Sequence, residues 1–69
     1  MPLTMAKAGE QNIIKKVGGK TETKQFLEKL GFVAGSYVML ITQTGGNIIV
    51  NIKESRVAIS KEMAARIMI

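Results

Sequence analysis

The fold is decided by residues 36–59, SYVMLITQTGGNIIVNIKESRVAI, in which two stretches rich in aliphatic residues flank a pair of glycines. A two-residue Gly-Gly loop is typical of the primed turns that join antiparallel strands. We therefore predict a β-hairpin whose strands cover residues 36–44 and 47–53 and whose turn is Gly45-Gly46.

The register of this hairpin predicts which side chains face the core. A two-residue loop pairs Thr44 with Asn47. The pairs further from the turn are then Ile41 with Val50 and Met39 with Ile52. Because successive side chains on a strand point to opposite faces, one face of the hairpin is expected to be apolar. Its predicted members are Met39, Ile41, Ile48, Val50 and Ile52.

A third strand over residues 56–59 continues this apolar face if Glu54-Ser55 forms a second two-residue turn. That register has one unfavourable pair, because Lys53 lies opposite Arg56 and like charges directly opposite each other destabilise a sheet.

A helix is predicted over residues 21–30, before the hairpin. Thr21 is a suitable N-cap residue. Gly31 stands where a left-handed residue ends a helix, and Phe32 follows where a Schellman motif packs it against Leu27. The agreement of the glycine with its hydrophobic partner makes this a specific stop signal.

The two ends of the chain are predicted to add short elements to the sheet. Residues 2–7 and 11–17 are read as strands, and Ser60 as the cap of a helical turn over residues 61–65. The apolar end of the chain, residues 66–69, is expected to close the barrel by pairing with an N-terminal strand, since an unpaired apolar strand promotes aggregation.

Length and composition are those of one small domain. The 69 residues include 46% hydrophobic residues but no cysteine or histidine, so apolar packing must stabilise the fold. The predicted fold class is mainly β, a small barrel with one inserted helix and a short C-terminal helical turn, over residues 1–69. No apolar run approaches the roughly 18 residues of a membrane span, and no signal peptide is visible, so we expect a cytoplasmic protein.

Catalysis is not predicted. Without histidine or cysteine, the usual general base and thiol nucleophile are missing. The five acidic residues are all glutamates and are dispersed along the chain, at Glu10, Glu22, Glu28, Glu54 and Glu62.

Metal and nucleic-acid binding have little direct support from the residue types. Transition metals prefer imidazole or thiolate ligands, which leaves weak carboxylate binding at Glu54 or Glu62, or a methionine site, as open alternatives. The net charge of +5 favours an anionic partner, but the basic residues are scattered and aromatic residues are few. We therefore expect no nucleic-acid groove, and a nucleic-acid binder would have to show steeply salt-dependent affinity.

The run FLEKLGFVAGS at residues 26–36 resembles the hallmark of the FeoA family, ferrous iron transport protein A, which is L-x-x-L-G-hydrophobic-x-P-G-[ST]. Leu27, Leu30, Gly31, Gly35 and Ser36 match it. Ala34 stands where the family often has proline. Residues 46–50, 56–59 and 64–67 resemble the later segments of the family, so that the resemblance spans essentially the whole chain.

This resemblance implies an SH3-like barrel and a cytoplasmic accessory role in bacterial ferrous-iron uptake. It implies a protein-binding module that acts on the cytoplasmic GTPase domain of the membrane transporter FeoB. We further expect no tightly bound cofactor, weak binding of a transition metal such as Fe²⁺ at most, and a monomer or weak homo-oligomer.

The candidate partner-binding surface is the helix and its exit. Its predicted residues are Leu27, Leu30, Gly31, Phe32, Gly35 and Arg56, although the three large apolar side chains among them also suit the core. An alternative follows from similar domains at the C-terminus of DtxR-type iron-dependent repressors, namely a metal-responsive regulatory domain.

Overall fold

A computed structural model describes all residues 1–69. The chain forms a four-stranded antiparallel sheet and a two-stranded sheet that enclose one core. The elements are a 3-10 turn at Leu3–Met5, β1 at Gln11–Ile13, β2 at Lys16–Val17, α1 at Thr21–Lys29, β3 at Tyr37–Thr44, β4 at Asn47–Ile52, β5 at Ser55–Ser60, α2 at Lys61–Ala64 and β6 at Ile67–Met68. The strand order is β1-β3-β4-β5 in the larger sheet and β2-β6 in the smaller one.

The core is apolar and continuous between the two sheets. No polar or charged side chain is buried in it. Its members come from both helices, from every strand except β1, and from the connecting and terminal segments: Leu3, Ala6, Ile14, Val17, Leu27, Phe32, Val38, Leu40, Ile48, Val50, Ile52, Ile59, Ala64, Ile67 and Ile69. The predicted mainly β class with one inserted helix is confirmed.

The hairpin turn is confirmed, but the predicted core face of β3 is wrong. Thr44 pairs with Asn47 as expected, and the register then shifts between Leu40 and Thr42. This β-bulge leaves Ile41 without a partner, so that Leu40 instead of Ile41 lies opposite Val50. Every side chain of β3 before the bulge therefore points to the face opposite the predicted one.

The bulge changes which side chains of β3 are buried. Val38 and Leu40 are in the core, whereas Met39, on the outer face, and Ile41, at the bulge, are only half-buried. The half of the predicted face that β4 supplies is confirmed, because its three alternate aliphatic residues are buried: Ile48, Val50 and Ile52.

The second turn lies one residue earlier than predicted. It consists of Lys53 and Glu54, and Ile52 pairs with Ser55 across it. Both turn residues have positive φ, 48° and 65°, as a type I′ turn requires. The predicted clash of Lys53 with Arg56 is wrong, because Arg56 lies opposite the uncharged Asn51.

Helix α1 ends as predicted. The Phe32 N–H donates to the Leu27 carbonyl at 3.0 Å, and the Gly31 N–H donates to the Glu28 carbonyl at 3.0 Å. This is the hydrogen-bond pattern of a Schellman motif, with Gly31 at φ 107°. The start of the helix differs: Lys20 is the N-cap residue and makes no side-chain cap, so the predicted cap at Thr21 is wrong.

The predicted strand over residues 11–17 is two strands, because the chain changes sheets in its middle. The Ile14 N–H donates to the Ser36 carbonyl at 2.9 Å, beside β3, whereas the Lys15 N–H donates to the Met68 carbonyl at 2.7 Å, beside β6. Ile14 is buried at this crossing and Ile13 is half exposed.

The chain ends meet as expected, without the predicted strand over residues 2–7. That segment is a 3-10 turn that buries Leu3. Strand β6 pairs with β2, and the Ile69 N–H donates to the Met1 carbonyl at 2.7 Å. The predicted cap of α2 is confirmed, because the Met63 N–H donates to Ser60 Oγ at 3.2 Å.

Candidate protein-binding surface

The helix exit exposes less of the predicted surface than expected. Leu27 and Phe32 have no exposed surface, and Gly31 is buried as well. These three residues therefore cannot contact a partner while the fold is intact, and their place in the predicted set is corrected to the core. Their role is to fix the end of α1.

The other predicted residues retain surface and lie on three different segments of the chain. Leu30 is half-buried, and Gly35 and Arg56 are exposed. The Gly35 N–H donates to the Ile14 carbonyl at 2.8 Å, which ties Gly35 to the crossing between β1 and β2. Gly31 instead lies against the β4–β5 turn, since a Cβ built on it is 3.3 Å from Lys53 Cδ.

A second surface, which the sequence did not predict, lies on the outer face of the larger sheet. Ile13 on β1 and Tyr37 on β3 are direct cross-strand partners. They are 50% and 57% exposed. Met39 follows Tyr37 on the same face. We call these three residues, Ile13, Tyr37 and Met39, the outer-face patch.

A shallow depression of about 440 Å³ adjoins this patch. Its wall combines the apolar side chains of Tyr37 and Met39 with polar and charged groups. The lining residues are Gln11, Ser36, Tyr37, Met39, Asn51, Lys53 and Glu54. Aromatic and methionine side chains within a polar rim are the composition of protein–protein interfaces.

A smaller depression, about 300 Å³, lies where the start of α1 meets α2. It is lined by Lys20, Thr23, Ser60, Glu62, Met63 and Arg66. Arg66 lies over the turn before α1, because a Cβ built on Gly19 is 3.4 Å from Arg66 Cγ. Two cations and one carboxylate border it, and no buried polar side chain points into it.

The carboxylates considered for weak metal binding are in different places. Glu54 borders the larger depression and Glu62 the smaller one. No group of three or more His, Cys, Asp or Glu side chains is positioned to hold an ion. Binding through either carboxylate stays a prediction.

Each charged side chain is solvent-exposed, and the chain contains no helix that is both long and hydrophobic enough to cross a bilayer. The surface thus combines the outer-face patch, the polar depression beside it and an excess of positive charge.

The sequence of the whole chain matches a family model. The model is that of the FeoA domain, and it covers residues 1–69. A curated protein of Methanocaldococcus jannaschii, named "Putative Fe(2+) transport protein A", is 35% identical over 68 residues, which are 99% of this chain and 83% of that protein.

Solved structures share the fold. The crystal structure of an iron uptake regulatory protein, FeoA, is 25% identical with a TM-score of 0.88, covering 97% of this chain and 91% of its own. The zinc complex of Stenotrophomonas maltophilia FeoA, a procaryotic SH3 domain protein, is 22% identical with a TM-score of 0.86, over 99% and 87% of the two chains. A manganese-dependent transcriptional repressor is 16% identical with a TM-score of 0.88, over 97% of this chain and 39% of its own. The fold is thus SH3-like.

Proposed function

This chain belongs to the FeoA family, and from that premise we propose that it is a cytoplasmic accessory protein of ferrous-iron uptake that binds the GTPase domain of a FeoB-type membrane transporter. The observation that carries the proposal is the family match over all 69 residues, together with a relative named for Fe(2+) transport. The protein acts by contact and not by catalysis.

The surface chemistry supports a binding module. The outer-face patch leaves about half of Ile13 and more than half of Tyr37 in solvent. Two large apolar side chains exposed side by side on paired strands support a contact surface. Tyrosine also carries much of the binding energy at many interfaces.

Titration of the purified cytoplasmic domain of the transporter with this protein tests the proposal. We expect binding at micromolar concentrations, weakened by Tyr37→Ser, since the large ring is the centre of the patch. Phe26→Ser is the matched control, because Phe26 is similarly exposed, at 47%, but lies on α1.

The binding of the wild type and of the two serine variants tests both the function and the position of the contact surface. Absence of binding at tens of micromolar contradicts the proposed function. Binding that is lost with Phe26→Ser and kept with Tyr37→Ser moves the contact surface to the helix, where Leu30 lies one turn further along α1.

A second candidate function is a metal-responsive regulatory domain that binds a transition metal weakly. The observation that favours it is the likeness in fold to the manganese-dependent repressor. Adding Fe²⁺ under anaerobic conditions while following NMR chemical shifts tests this candidate. Shifts confined to the surroundings of Glu54, Glu62 or a methionine support it, and unchanged spectra at millimolar metal exclude it.

A further inference from the structure

Strand β5 is an open edge of the larger sheet. It is last in the order β1-β3-β4-β5, so only β4 lies beside it. It runs over six residues, Ser55–Ser60. The opposite edge, β1, has three residues, and the chain then crosses into the second sheet.

The register shows which backbone groups of β5 point away from β4. In a type I′ turn the residue before the turn accepts a hydrogen bond from the residue after it, so Ile52 and Ser55 are a hydrogen-bonded pair. Such pairs alternate along an antiparallel ladder. Val57 is therefore also bonded to β4, whereas Arg56 and Ala58 direct their N–H and C=O groups outward.

Nothing else in the chain occupies these outward groups. Neither Arg56 nor Ala58 takes part in the backbone hydrogen bonds of the turns, loops and caps. Natural sheets usually protect an edge with a bulge, a proline, a very short strand or charged side chains, and Arg56 is the one charged residue of β5. The pairing of β5 with β4 is unbroken over six residues, and the chain's one proline is Pro2.

The side chains along this edge leave room for another strand. Ala58 is exposed and small, and Val57, on the inner side, is only half-buried. An added strand would cover the rest of Val57 and satisfy the outward donors and acceptors. The added strand would also widen the outer face of the sheet. It would continue the row of paired residues that crosses all four strands, namely Gln11, Met39, Asn51 and Arg56.

The positive charge of Arg56 and of the whole chain favours an acidic segment over a second copy of this chain at the edge. Arg56 is exposed and lies opposite the uncharged Asn51, so its positive charge has no acidic partner across the sheet and lies on the outer face at this edge. A second copy of this chain would bring another net charge of +5 alongside, which Coulomb repulsion opposes. An acidic segment is attracted.

We infer that β5 binds an extended, acidic segment of the partner protein as an additional strand, with a carboxylate of that segment beside Arg56. This inference rests on the proposed function, in which the partner is the cytoplasmic domain of the transporter. The backbone pairing holds the segment, as in other strand-addition complexes, and Arg56 selects its charge.

Two variants and one control test the inference against that cytoplasmic domain. Ala58→Pro removes the outward N–H and blocks strand addition without touching a bond to β4, and Arg56→Glu reverses the selecting charge. Ala34→Pro is the matched control, because it makes the same change at an exposed loop residue whose N–H donates no hydrogen bond.

Both edge variants are expected to weaken binding by roughly tenfold or more, the equivalent of about one lost hydrogen bond with its neighbours. Ala34→Pro is expected to bind like the wild type. In the wild-type complex, amide hydrogen exchange at Arg56 and Ala58 is expected to slow. Thermal melts establish that each variant is folded before binding is compared.

The outcomes separate this inference from the function on which it rests. A wild-type protein that does not bind the domain overturns both. Binding that Ala58→Pro leaves unchanged, or exchange protection that appears elsewhere, overturns the strand-addition inference alone. A wild-type dimer in sedimentation that Ala58→Pro dissociates makes a second copy the occupant and also overturns it.

Discussion

Replacing Gly31 with alanine tests the physical basis of the helix stop. Gly31 has φ 107°, a conformation that costs an L-residue about 1–3 kcal/mol. The new Cβ would also lie 3.3 Å from Lys53 Cδ and 3.4 Å from Ile52 Cγ1. The lysine side chain can move aside, so the backbone term is the larger one. We expect the free energy of unfolding to fall by about 2 kcal/mol, mainly through that term.

Such a loss is large for this domain. At roughly 0.05–0.15 kcal/mol per residue, 69 residues give a total stability of about 3–10 kcal/mol. A loss of about 2 kcal/mol would lower Tm by roughly 8–16 °C in a domain of this size. Urea unfolding followed by circular dichroism measures the change at constant temperature.

Two glycine controls separate the backbone term from the contacts. Gly35 has φ 90° and nothing within 4 Å of a built Cβ, so Gly35→Ala measures strain alone. Gly46 has neither a positive φ nor a neighbour within 4 Å, so Gly46→Ala is expected to change stability little. A free energy of unfolding for Gly31→Ala within about 0.5 kcal/mol of the wild-type value, the range of ordinary surface substitutions, would contradict backbone strain at this position.

Three further substitutions test the register, a cap and a turn by the same urea assay. Leu40→Ala should lower the free energy of unfolding by about 2–5 kcal/mol, as for a core leucine, and Ile41→Ala should lower it clearly less. A larger loss with Ile41→Ala would contradict the bulge. Ser60→Ala should lower the free energy of unfolding by about 1 kcal/mol, because the cap of α2 is lost. Ser55→Ala, at an exposed position, should change it little. Equal losses with the two variants would argue against the cap. Glu54→Gly should stabilise by up to about 1 kcal/mol because glycine adopts positive φ without strain, and a loss of stability would show that the Glu54 side chain contributes more than the turn.

The predictions that held are those in which local chemistry decides the conformation. Gly31 is the residue that adopts the left-handed conformation after a helix, and Phe32 supplies the contact that completes the motif. Ser60 accepts a hydrogen bond from the first turn of α2 whatever the rest of the chain does.

The outer-face patch was missed because its residues stand in uninterrupted apolar runs. Val38-Met39-Leu40-Ile41 contains no polar residue to mark which members face inward. A single bulged residue reverses which side chains of the strand face the core. As a result, Val38 and Leu40 are buried and Met39 stays on the surface. The one visible signal is Tyr37, an aromatic residue at the start of a strand.

The class of fold, the end of α1 and the hairpin of β3 and β4 could be predicted from the sequence, because each depends on residue types acting over a few neighbours. Which of two adjacent apolar residues is buried, as for Ile13 and Ile14, depends on the tertiary structure. The tertiary structure also decided that β5 lies at an open edge. Both depend on how distant strands pair, and a slip of one residue in that pairing exchanges the inside of a strand with its outside.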